Sequence, residues 1–473
     1  MFWRRGAVTA FLIAYFAYFS WDTLRVHHAV DAVASISYFY RMPAPWRLLP
    51  SLFMPWGGFY RQMSGVVYLS LFSVFGLNPV PYHVATWLVL LASAWLMYRF
   101  ARLLGCEELA AGLVALIACY HAGLSYLYYN TAYIPDVLCC FFYFASFVYY
   151  VRIRARGRLL GAGQTVAFLG LYLCAINSKE MAVTLPVMLL VYEWIYHRPE
   201  RRDWAGLLAW SRGSARVALL GAALNVLFIY GLAFGFDRTM NAPAFQPVFT
   251  LRRLVAFQKA YLGDLLLGWH SGWRGILALW AVLAYLAWRR DRPVLRFCWI
   301  FMALTPLPIE FLEDRHGACL AIPLAGWAIF GSVLFLDLVR ALSGVLVREP
   351  LLRPMGGKGL VAAMLAMAVF LWARENRYRQ RVVSEPVMAA LGQQEWEVLE
   401  QFRIVNPQVR PNSRVAFLDD PLKSWDMLFA AQLWFRDRSL AIHVAREGPL
   451  SPDELAKMDY VFTFEAGKLV RLK

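Results

Sequence analysis

Charge is scarce in this sequence. Asp, Glu, Lys and Arg together make up 16% of the 473 residues, whereas they average about 25% of a soluble domain. Hydrophobic residues make up 60%, and this excess excludes a disordered chain and an ordinary soluble enzyme. Such a composition is typical of a polytopic α-helical membrane protein. The aromatic content of 16% suits both apolar spans and interfacial belts.

Several informative patterns are missing. The seven cysteines form no Cys-x-x-Cys metal pattern and no disulfide framework. There is no Asn-x-Ser/Thr sequon, which favours a bacterial membrane, and no Asp-x-Asp pair that would indicate a divalent metal. The net charge of +16 would suggest nucleic-acid binding in a soluble protein. We expect no nucleic-acid partner, because cytoplasmic loops of membrane proteins carry excess Lys and Arg.

Apolar runs predict about eleven membrane spans, each near the ~20 residues that a bilayer requires. The predicted spans are residues 7–21, 82–104, 107–125, 134–151, 164–178, 180–196, 216–236, 273–288, 294–309, 317–340 and 359–374. The first resembles a signal peptide, but no small-x-small cleavage site follows it, so we expect an uncleaved span. The short apolar segment 63–77 is predicted to be an interfacial or re-entrant helix on the outer side.

Basic residues orient these spans. Arg4 and Arg5 predict a cytoplasmic N-terminus, because Lys and Arg concentrate in cytoplasmic loops. With eleven spans, the later basic clusters share that side; they lie at residues 99–102, 152–158, 198–212, 289–292 and 340–358. The outer connections are then residues 22–81, 126–133, 237–272 and 309–316. We therefore expect a multi-pass protein of the bacterial inner membrane, with a periplasmic C-terminus and its function on the outer face.

The chain changes character after residue 374. An amphipathic helix is predicted at 384–403, strands at 414–418, 440–445, 460–464 and 469–472, and helices at 426–435 and 451–458. Alternating strands and helices predict a small α/β domain on the outer face. The predicted fold is thus an α-helical polytopic membrane domain, residues 1–374, followed by a soluble tail domain, residues 375–473. The tail domain contains no glycine-rich nucleotide loop.

The connection after the first span contains Asp22, His27, His28 and Asp31. Asp31 is a carboxylate near the membrane surface that is suited to act as a general base. The His-His-x-x-Asp spacing is also compatible with a metal, since His and Asp suit zinc or manganese. A solvated loop with scattered polar residues explains the same pattern. These alternatives remain open at the level of the residues.

Other polar groups interrupt apolar segments, where charge is costly. Asn177–Glu180 is either an internal ion-pair segment or part of a site at the membrane boundary. Residues 310–316 contain Arg315, which is suited to bind a lipid phosphate, and His316 as a second hydrogen-bonding group. An ordinary charged loop would explain them equally.

Three further acidic positions are less informative. Asp136 follows Pro135 at a predicted helix start, which is first of all a capping signal. Asp337 is expected to pair with Arg340, one turn away. Lys259 and Asp264 show no clear pattern.

Four stretches together resemble a known family. They are Tyr60–Met63 with Phe75–Pro79 and Tyr82-His83; His121 with Tyr133–Val137; Ser178–Pro186, which contains a Lys-Glu and Leu-Pro pattern; and Glu313–His316 through Pro323. In this order they are similar to segments of the polytopic GT-C glycosyltransferases. The match is greatest to bacterial relatives of the tetratricopeptide-bearing O-mannosyltransferases and covers about residues 1–340. The first connection has a single Asp31 where that family usually shows Asp-Asp.

The resemblance implies an integral membrane glycosyltransferase. It would move a sugar from a polyprenyl-phosphate donor to a glycan, lipid or protein acceptor on the outer face by one inverting displacement. It implies Asp31 as the catalytic base and a set of substrate-binding residues, namely Arg61, Asp136, Lys179, Glu180, Arg315 and His316. No cofactor is expected, and a divalent metal is not favoured.

Two other classes remain open. One is a polyprenyl-linked glycan polymerase or ligase, although its large outer loop usually lies late in the chain, whereas the longest loop here follows the first span. The other is a transport or non-catalytic protein of the same membrane pathway. A transporter would favour charges near mid-bilayer and internal repeats.

Overall fold

The computed structural model describes residues 2–42, 48–54, 56, 61–234, 246–313, 315–350, 352–422 and 425–473, without the side chains of residues 2–5, 7, 30 and 391. The side chains of Arg4 and Arg5 and the residues Tyr60 and Asp314, named above, lie outside this description. So do residues 43–47 of the first outer connection and residues 237–245 of another.

Helices form most of the described chain. They are α1 (Phe2–Ser20), α2 (Val30–Tyr40), α3 (Leu48–Ser51), α4 (Gln62–Phe75), α5 (Pro79–Leu103), α6 (Glu108–Cys119), α7 (Tyr126–Tyr129), α8 (Ile134–Arg154), α9 (Ala162–Ile176), α10 (Leu185–Tyr196), α11 (Trp204–Arg212), α12 (Arg216–Phe234), α13 (Leu251–Leu265), α14 (Trp273–Arg289), α15 (Pro293–Leu304), α16 (Ala321–Leu346), α17 (Gly356–Arg379), α18 (Glu385–Val405), α19 (Asp426–Phe435) and α20 (Pro452–Ala456). The strands are β1 (Arg414–Phe417), β2 (Ala441–Val444), β3 (Tyr460–Glu465) and β4 (Lys468–Arg471).

Helix ends follow from local chemistry. In α5, the Asn78 side chain caps the N-terminus by accepting a hydrogen bond from the backbone nitrogen of Val80 at 3.1 Å. The α8 helix has Pro135 and Asp136 in its first turn and Arg152 and Arg154 in its last. Proline is preorganised for the first turn, and the charges at both ends complement the helix dipole.

Helices lie over all eleven predicted spans. Among the described residues, five helical segments are long and apolar enough to cross a bilayer: Pro79–Leu103, Thr131–Arg154, Arg216–Phe234, Gly317–Leu346 and Arg353–Val405. Large apolar side chains on several of these helices are exposed rather than packed, as a lipid-facing surface requires. The chain is a multi-pass membrane protein. The number of spans and their orientation remain predictions.

Basic residues gather at one end of the bundle. Arg154 in α8 forms a two-pronged ion pair with Glu193 in α10, with N–O distances of 2.7 and 2.8 Å. At the same end, Arg340 pairs with Glu107 at 2.5 Å. Asp337 lies 3.3 Å from Arg292 and 3.5 Å from Arg290. The predicted pairing of Asp337 with Arg340 is therefore wrong, because tertiary partners in connections between other helices compete with the residue one turn away.

At the opposite end, several helices are interrupted by short 3₁₀ turns. These turns are Trp21–Arg25, Ala122–Leu124, Thr131–Tyr133, Glu180–Thr184 and Gly317–Leu320. Interrupted backbone at membrane depth must be satisfied inside the protein. Here, for example, the backbone nitrogen of Ala122 donates to Asn376 Oδ1 at 2.7 Å. The polar residues singled out from the sequence lie in or beside these turns.

The helices α17 and α18 are joined by one π-helical turn, Gln380–Ser384. The predicted boundary at residue 375 therefore falls inside a helical segment that continues from Gly356 to Val405. At the turn, Gln380 Nε2 donates to the Phe19 carbonyl at 2.6 Å and to the Tyr129 hydroxyl at 2.5 Å. A backbone carbonyl of α1 and a side-chain hydroxyl of α7 thus hold the junction.

The tail domain contains one four-stranded sheet in the order β2-β1-β3-β4. β1 pairs in parallel with β2 and β3, and β4 closes the sheet antiparallel to β3. Its core contains Phe402 of α18, Phe417 of β1 and Phe462 of β3. The strands and helices predicted from the sequence all occur, within a few residues of the predicted bounds.

The Arg154–Glu193 pair generates a test of stability. Their side chains are 6% and 0% exposed, so Glu193→Ala leaves a buried guanidinium without its carboxylate. We expect a loss of about 3–5 kcal/mol in the free energy of unfolding. Thermal unfolding in detergent measures it. The exposed Glu400–Arg403 pair of α18 provides the control, since Glu400→Ala should leave the melting temperature unchanged. Equal effects of the two substitutions would contradict this account.

Candidate functional site

Asp31 lies in the first turn of α2, and its side chain is exposed. His28, just before this helix, fixes the position of the helix start. Its Nδ1 lies 2.9 Å from Thr131 Oγ1. The His28 ring also meets Tyr82 edge to face, with ring centroids 4.8 Å apart. Contacts to neighbouring helices therefore determine where α2 starts.

The two histidines before Asp31 are used in packing. Burial, with smaller contributions from His83 and His27, lowers the pKa of His28 to about 3, so its ring is neutral. The His27 ring is stacked on Trp396, with centroids 4.1 Å apart. Within the described ranges, no three His, Cys, Asp or Glu side chains are placed to hold a metal ion. Metal dependence itself is untested.

Lys179 and Asp136 form a buried ion pair. The Nζ–Oδ1 distance is 2.5 Å, and the side chains are 8% and 4% exposed. Lys179 Nζ also lies 3.3 Å from Cys319 Sγ. Burial alone lowers the pKa of Lys179, but Asp136 and then Cys319 raise it, and the net shift is upward. Lys179 is thus a permanent positive charge beneath the surface of the site.

A second pair, Arg61 and Glu180, lies next to the first in the chain. Arg61 donates to both carboxylate oxygens of Glu180, at 3.3 and 3.2 Å. The positive charges of Arg61 and Lys179 both act on the Glu180 carboxylate. Both side chains are about one fifth exposed. The pair is therefore charged and accessible at its edge.

Tyr133 connects these charges with Asp31. The Asp136, Lys179 and Asp31 side chains all lie close enough to act electrostatically on the Tyr133 hydroxyl. The Tyr68 hydroxyl donates to the Thr131 carbonyl at 2.7 Å. The charges of Arg61 and Asp136 act electrostatically on this hydroxyl. Asp31, Asp136 and Lys179 therefore all lie within electrostatic range of one tyrosine.

Tyr133 also lines a cavity of about 710 Å³. The cavity lies between α13, the turns Ala122–Leu124 and Gly317–Leu320, and the π turn. Its charged and titratable lining residues are Lys259, Asp264, His270, His316 and Arg379. Among these residues, Lys259, Arg379 and the two histidines have positive or titratable nitrogens, whereas Asp264 has the one carboxylate. The cavity is therefore suited to an anionic group.

His316 is held in the wall of this cavity by Asp264. One carboxylate oxygen, Asp264 Oδ2, accepts from His316 Nδ1 and from the backbone nitrogen of Gly317, each at 2.8 Å. An ionised carboxylate can only accept, so Nδ1 carries the proton. Arg315 is the preceding residue and is partly buried. Of the predicted site residues, His316 lines this cavity. The others lie outside its lining; they are Asp31, Arg61, Asp136, Lys179, Glu180 and Arg315.

Sequence reasoning missed Lys259, Asp264 and Arg379. The cavity-facing residues of α13 and the residue just beyond it recur at helical spacing; they are Ala256, Lys259, Ala260, Gly263, Asp264 and Leu267. This spacing is that of one helix face, but small and charged residues on that face gave no apolar pattern in the sequence. Arg379, the last residue of α17, gave no signal either. Its guanidinium packs on Gly268, where a Cβ would lie 2.7 Å from it.

Glu310 is buried beside this region. It accepts from Gln258 Nε2 at 3.0 Å, and Gln258 Oε1 accepts from Trp280 at 3.1 Å. Burial raises the pKa of Glu310 to about 7, although the hydrogen bond from Gln258 lowers it. Near neutral pH this carboxyl group therefore exchanges between its neutral and charged forms.

Solved structures to which the chain is similar include the crystal structure of the Archaeoglobus fulgidus oligosaccharyltransferase in the apo form, with a TM-score of 0.48 and 13% sequence identity. The match covers 92% of this chain and 64% of that one, so the chain spans less than two thirds of that protein's length. No protein-family model and no curated protein matches the chain. A match this weak does not indicate the function of the chain, which is inferred below from the residues of the site.

A double-mutant cycle tests the buried pair. Asp136→Asn and Lys179→Met each leave one charge buried without its partner, and each should cost about 3–5 kcal/mol in stability. The double substitution removes both charges and should regain most of that loss. Thermal unfolding in detergent measures all four proteins. Losses that simply add would show that the two side chains do not depend on each other.

The pH dependence of stability tests Glu310. Its folded pKa of about 7 lies above the ordinary value of 4.5, so the fold favours the protonated form. The stabilisation is complete below pH 4.5 and is lost as the pH rises through 7. We expect Glu310→Gln to flatten this part of the curve of melting temperature against pH between 5 and 8. A wild-type protein whose stability rises across that range, with the rise removed in Glu310→Gln, would contradict the assignment.

Proposed function

We propose that this protein is an integral membrane glycosyltransferase that moves a sugar from a polyprenyl-phosphate donor to an acceptor hydroxyl. The supporting observation is the cavity at one end of an apolar helical bundle. Lys259, Arg379 and the His316–Asp264 pair converge on it, and the Asp31 carboxylate acts on Tyr133 in its wall. In this proposal, Asp31 is the base, and the cavity that Tyr133 lines holds the anionic group.

The surroundings suit a lipid-linked phosphate. Apolar residues Leu267, Val383 and Met388 line the cavity together with the charged ones. Large apolar side chains are exposed on the helices of the bundle. In this proposal, the phosphate and sugar occupy the polar part of the cavity, and the hydrocarbon chain continues along the apolar helices. A water-soluble nucleotide sugar would not use such a surface.

The proposed reaction is a single displacement. Asp31 removes the proton of the acceptor hydroxyl as its oxygen forms a bond to the anomeric carbon. The bond from that carbon to the phosphate oxygen breaks, and the bonding electrons leave with the polyprenyl phosphate. Attack opposite to the leaving group inverts the configuration of the sugar.

The leaving phosphate gains negative charge in the transition state. Preorganised cations stabilise such charge most in a water-poor site. Arg315, His316, Lys259 and Arg379 are the proposed direct partners of the phosphate. Lys179 is buried against Asp136, whose carboxylate balances its charge, so Lys179 is not a proposed contact of the phosphate; the pair instead fixes the segment that carries Glu180. Arg61 and Glu180 are proposed to hydrogen-bond to the sugar at the exposed edge of their pair.

Transfer by purified protein in nanodiscs tests the proposal. The probes are labelled polyprenyl-phosphate sugars, with a membrane extract as acceptor. Asp31→Asn keeps the shape of the side chain but removes its basicity, and we expect turnover to fall by about 10²–10⁴-fold. The melting temperature should not change, because the side chain is exposed.

Asp22→Asn is the matched control, since it removes the other carboxylate of the same connection. Asp22 lies 3.4 Å from Arg377 in α17, so its loss should leave most of the turnover. Transfer that survives Asp31→Asn and is lost in Asp22→Asn would assign the base to Asp22. Absence of transfer by the wild type with every donor would count against the proposed activity and favour a transport or non-catalytic role.

A further inference from the structure

The tail domain packs against the helix that contains Asp31. One hydrophobic cluster contains Val33, Ile36 and Phe39 of α2 together with Leu433 of α19. These side chains are at most 3% exposed. The first connection of the chain and its C-terminal domain therefore both contribute side chains to one hydrophobic cluster.

The helix α19 is divided between two cores. Met427, Ala431 and Trp434 face the sheet of the tail domain. Leu433 and Phe429 pack instead against the cluster of α2. Residues 429, 432, 433 and 436 have the spacing of one helix face. The second apolar face of α19 thus packs on α2 and not on the sheet of the tail domain.

The N-terminal side of α2 is held by α18. The indole of Trp396 stacks on His27, with an angle of 11° between the rings. One turn earlier, Gly392 packs on the same residue, and a Cβ at this position would lie 2.7 Å from the His27 carbonyl oxygen. A glycine is therefore needed for α18 to approach this closely.

The C-terminal half of α2 is held by α19. The buried Ser37 hydroxyl donates to Gln432 Oε1 at 2.8 Å. Beyond it, the Arg438 guanidinium lies over the Tyr40 ring at 4.8 Å. Arg436 lies over Phe72 of α4 at the same distance, so the contact extends to the helix beside α2.

Asp31 lies between these two contacts. The tail domain contacts His27, and Thr131 contacts His28. Two successive residues therefore hold the backbone immediately before α2. Ser37 fixes the helix two turns later. The backbone position from which the exposed Asp31 side chain extends is thereby set by the contacts of His27, His28 and Ser37.

We propose that the tail domain is a positioning element of the active site, in which Trp396 and Gln432 hold α2 so that Asp31 faces the Tyr133 side of the cavity. This inference rests on the proposed function for the role of Asp31. It assigns the tail domain to the positioning of Asp31, through contacts with α2. A misplacement of about 1 Å of a reacting group can reduce turnover on the order of 10²-fold.

Two measurements on the full-length protein in nanodiscs test it. Hydrogen–deuterium exchange of the α2 amides needs no substrate, and in Trp396→Ala and Gln432→Ala it should become on the order of tenfold faster. Exchange in α8 should not change. With the labelled polyprenyl-phosphate sugars, turnover should fall about 10–100-fold while the KM for the donor stays the same, because the cavity is intact.

Gln401→Ala is the matched control. Gln401 of α18 accepts from the backbone nitrogen of Leu469 in β4, so this substitution removes one glutamine hydrogen bond within the tail domain and none to α2. It should leave both α2 exchange and turnover at wild-type values. Trp396→Phe keeps a ring that can stack on His27 and should restore most of the turnover lost in Trp396→Ala.

The outcomes separate this inference from the proposed function. Unchanged α2 exchange in Trp396→Ala and Gln432→Ala would overturn it, whatever the transfer assay shows. Faster α2 exchange with wild-type turnover would also overturn it, since the helix would then move without consequence for Asp31. If the wild type transfers no sugar, the proposed function loses its support, and with it the positioning role assigned here to the tail domain.

Discussion

Polar groups enclosed by an apolar helical bundle must find their partners inside the protein, because water is not there to replace them. The end of the bundle that contains the candidate site is where this requirement is most demanding, since several helices stop short there. Asn177 Nδ2 donates to the Leu52 carbonyl at 2.9 Å, and Asn376 Oδ1 accepts a hydrogen bond from the backbone nitrogen of Ala122. The side chains that complete the interrupted backbone also fix the geometry of the site.

The same requirement orders the charges. Lys179 is neutralised by Asp136 below the surface, whereas the Arg61–Glu180 pair remains accessible. His316 is held by Asp264 in the cavity wall. Each cation with a fixed partner has its direction set before a ligand arrives. Such preorganisation is the property that stabilises a developing charge without further rearrangement.

Much of the fold could be predicted from the sequence because its signals are local. The helix Asp426–Phe435 occurs at the bounds that its apolar period predicted, and Ser451 forms the expected capping box with Glu454. Asp136, at the start of α8, is a different case. A capping residue and the partner of a buried lysine look alike in a sequence, and only the approach of Lys179 from 43 residues away distinguishes them.

The predictions that failed or were never made concern contacts between distant segments. Arg340 and Asp337 have the right spacing for a pair, yet each has its partner in a connection between other helices. Arg379 lines the cavity at the end of α17, far in sequence from the other lining cation Lys259. The packing of α19 on α2 joins the two ends of the chain, and no local period encodes it.

That last contact has a consequence for how the protein is made. Ser37 and Gln432 are separated by 395 residues. At ~5–20 residues per second, α2 waits on the order of 20–80 seconds after its own synthesis before α19 leaves the ribosome. During this interval Val33, Ile36 and Phe39 lack the cover that Leu433 later provides. The nascent chain therefore presents a partly uncovered apolar helix to chaperones and proteases until its final segment has been synthesised and packed.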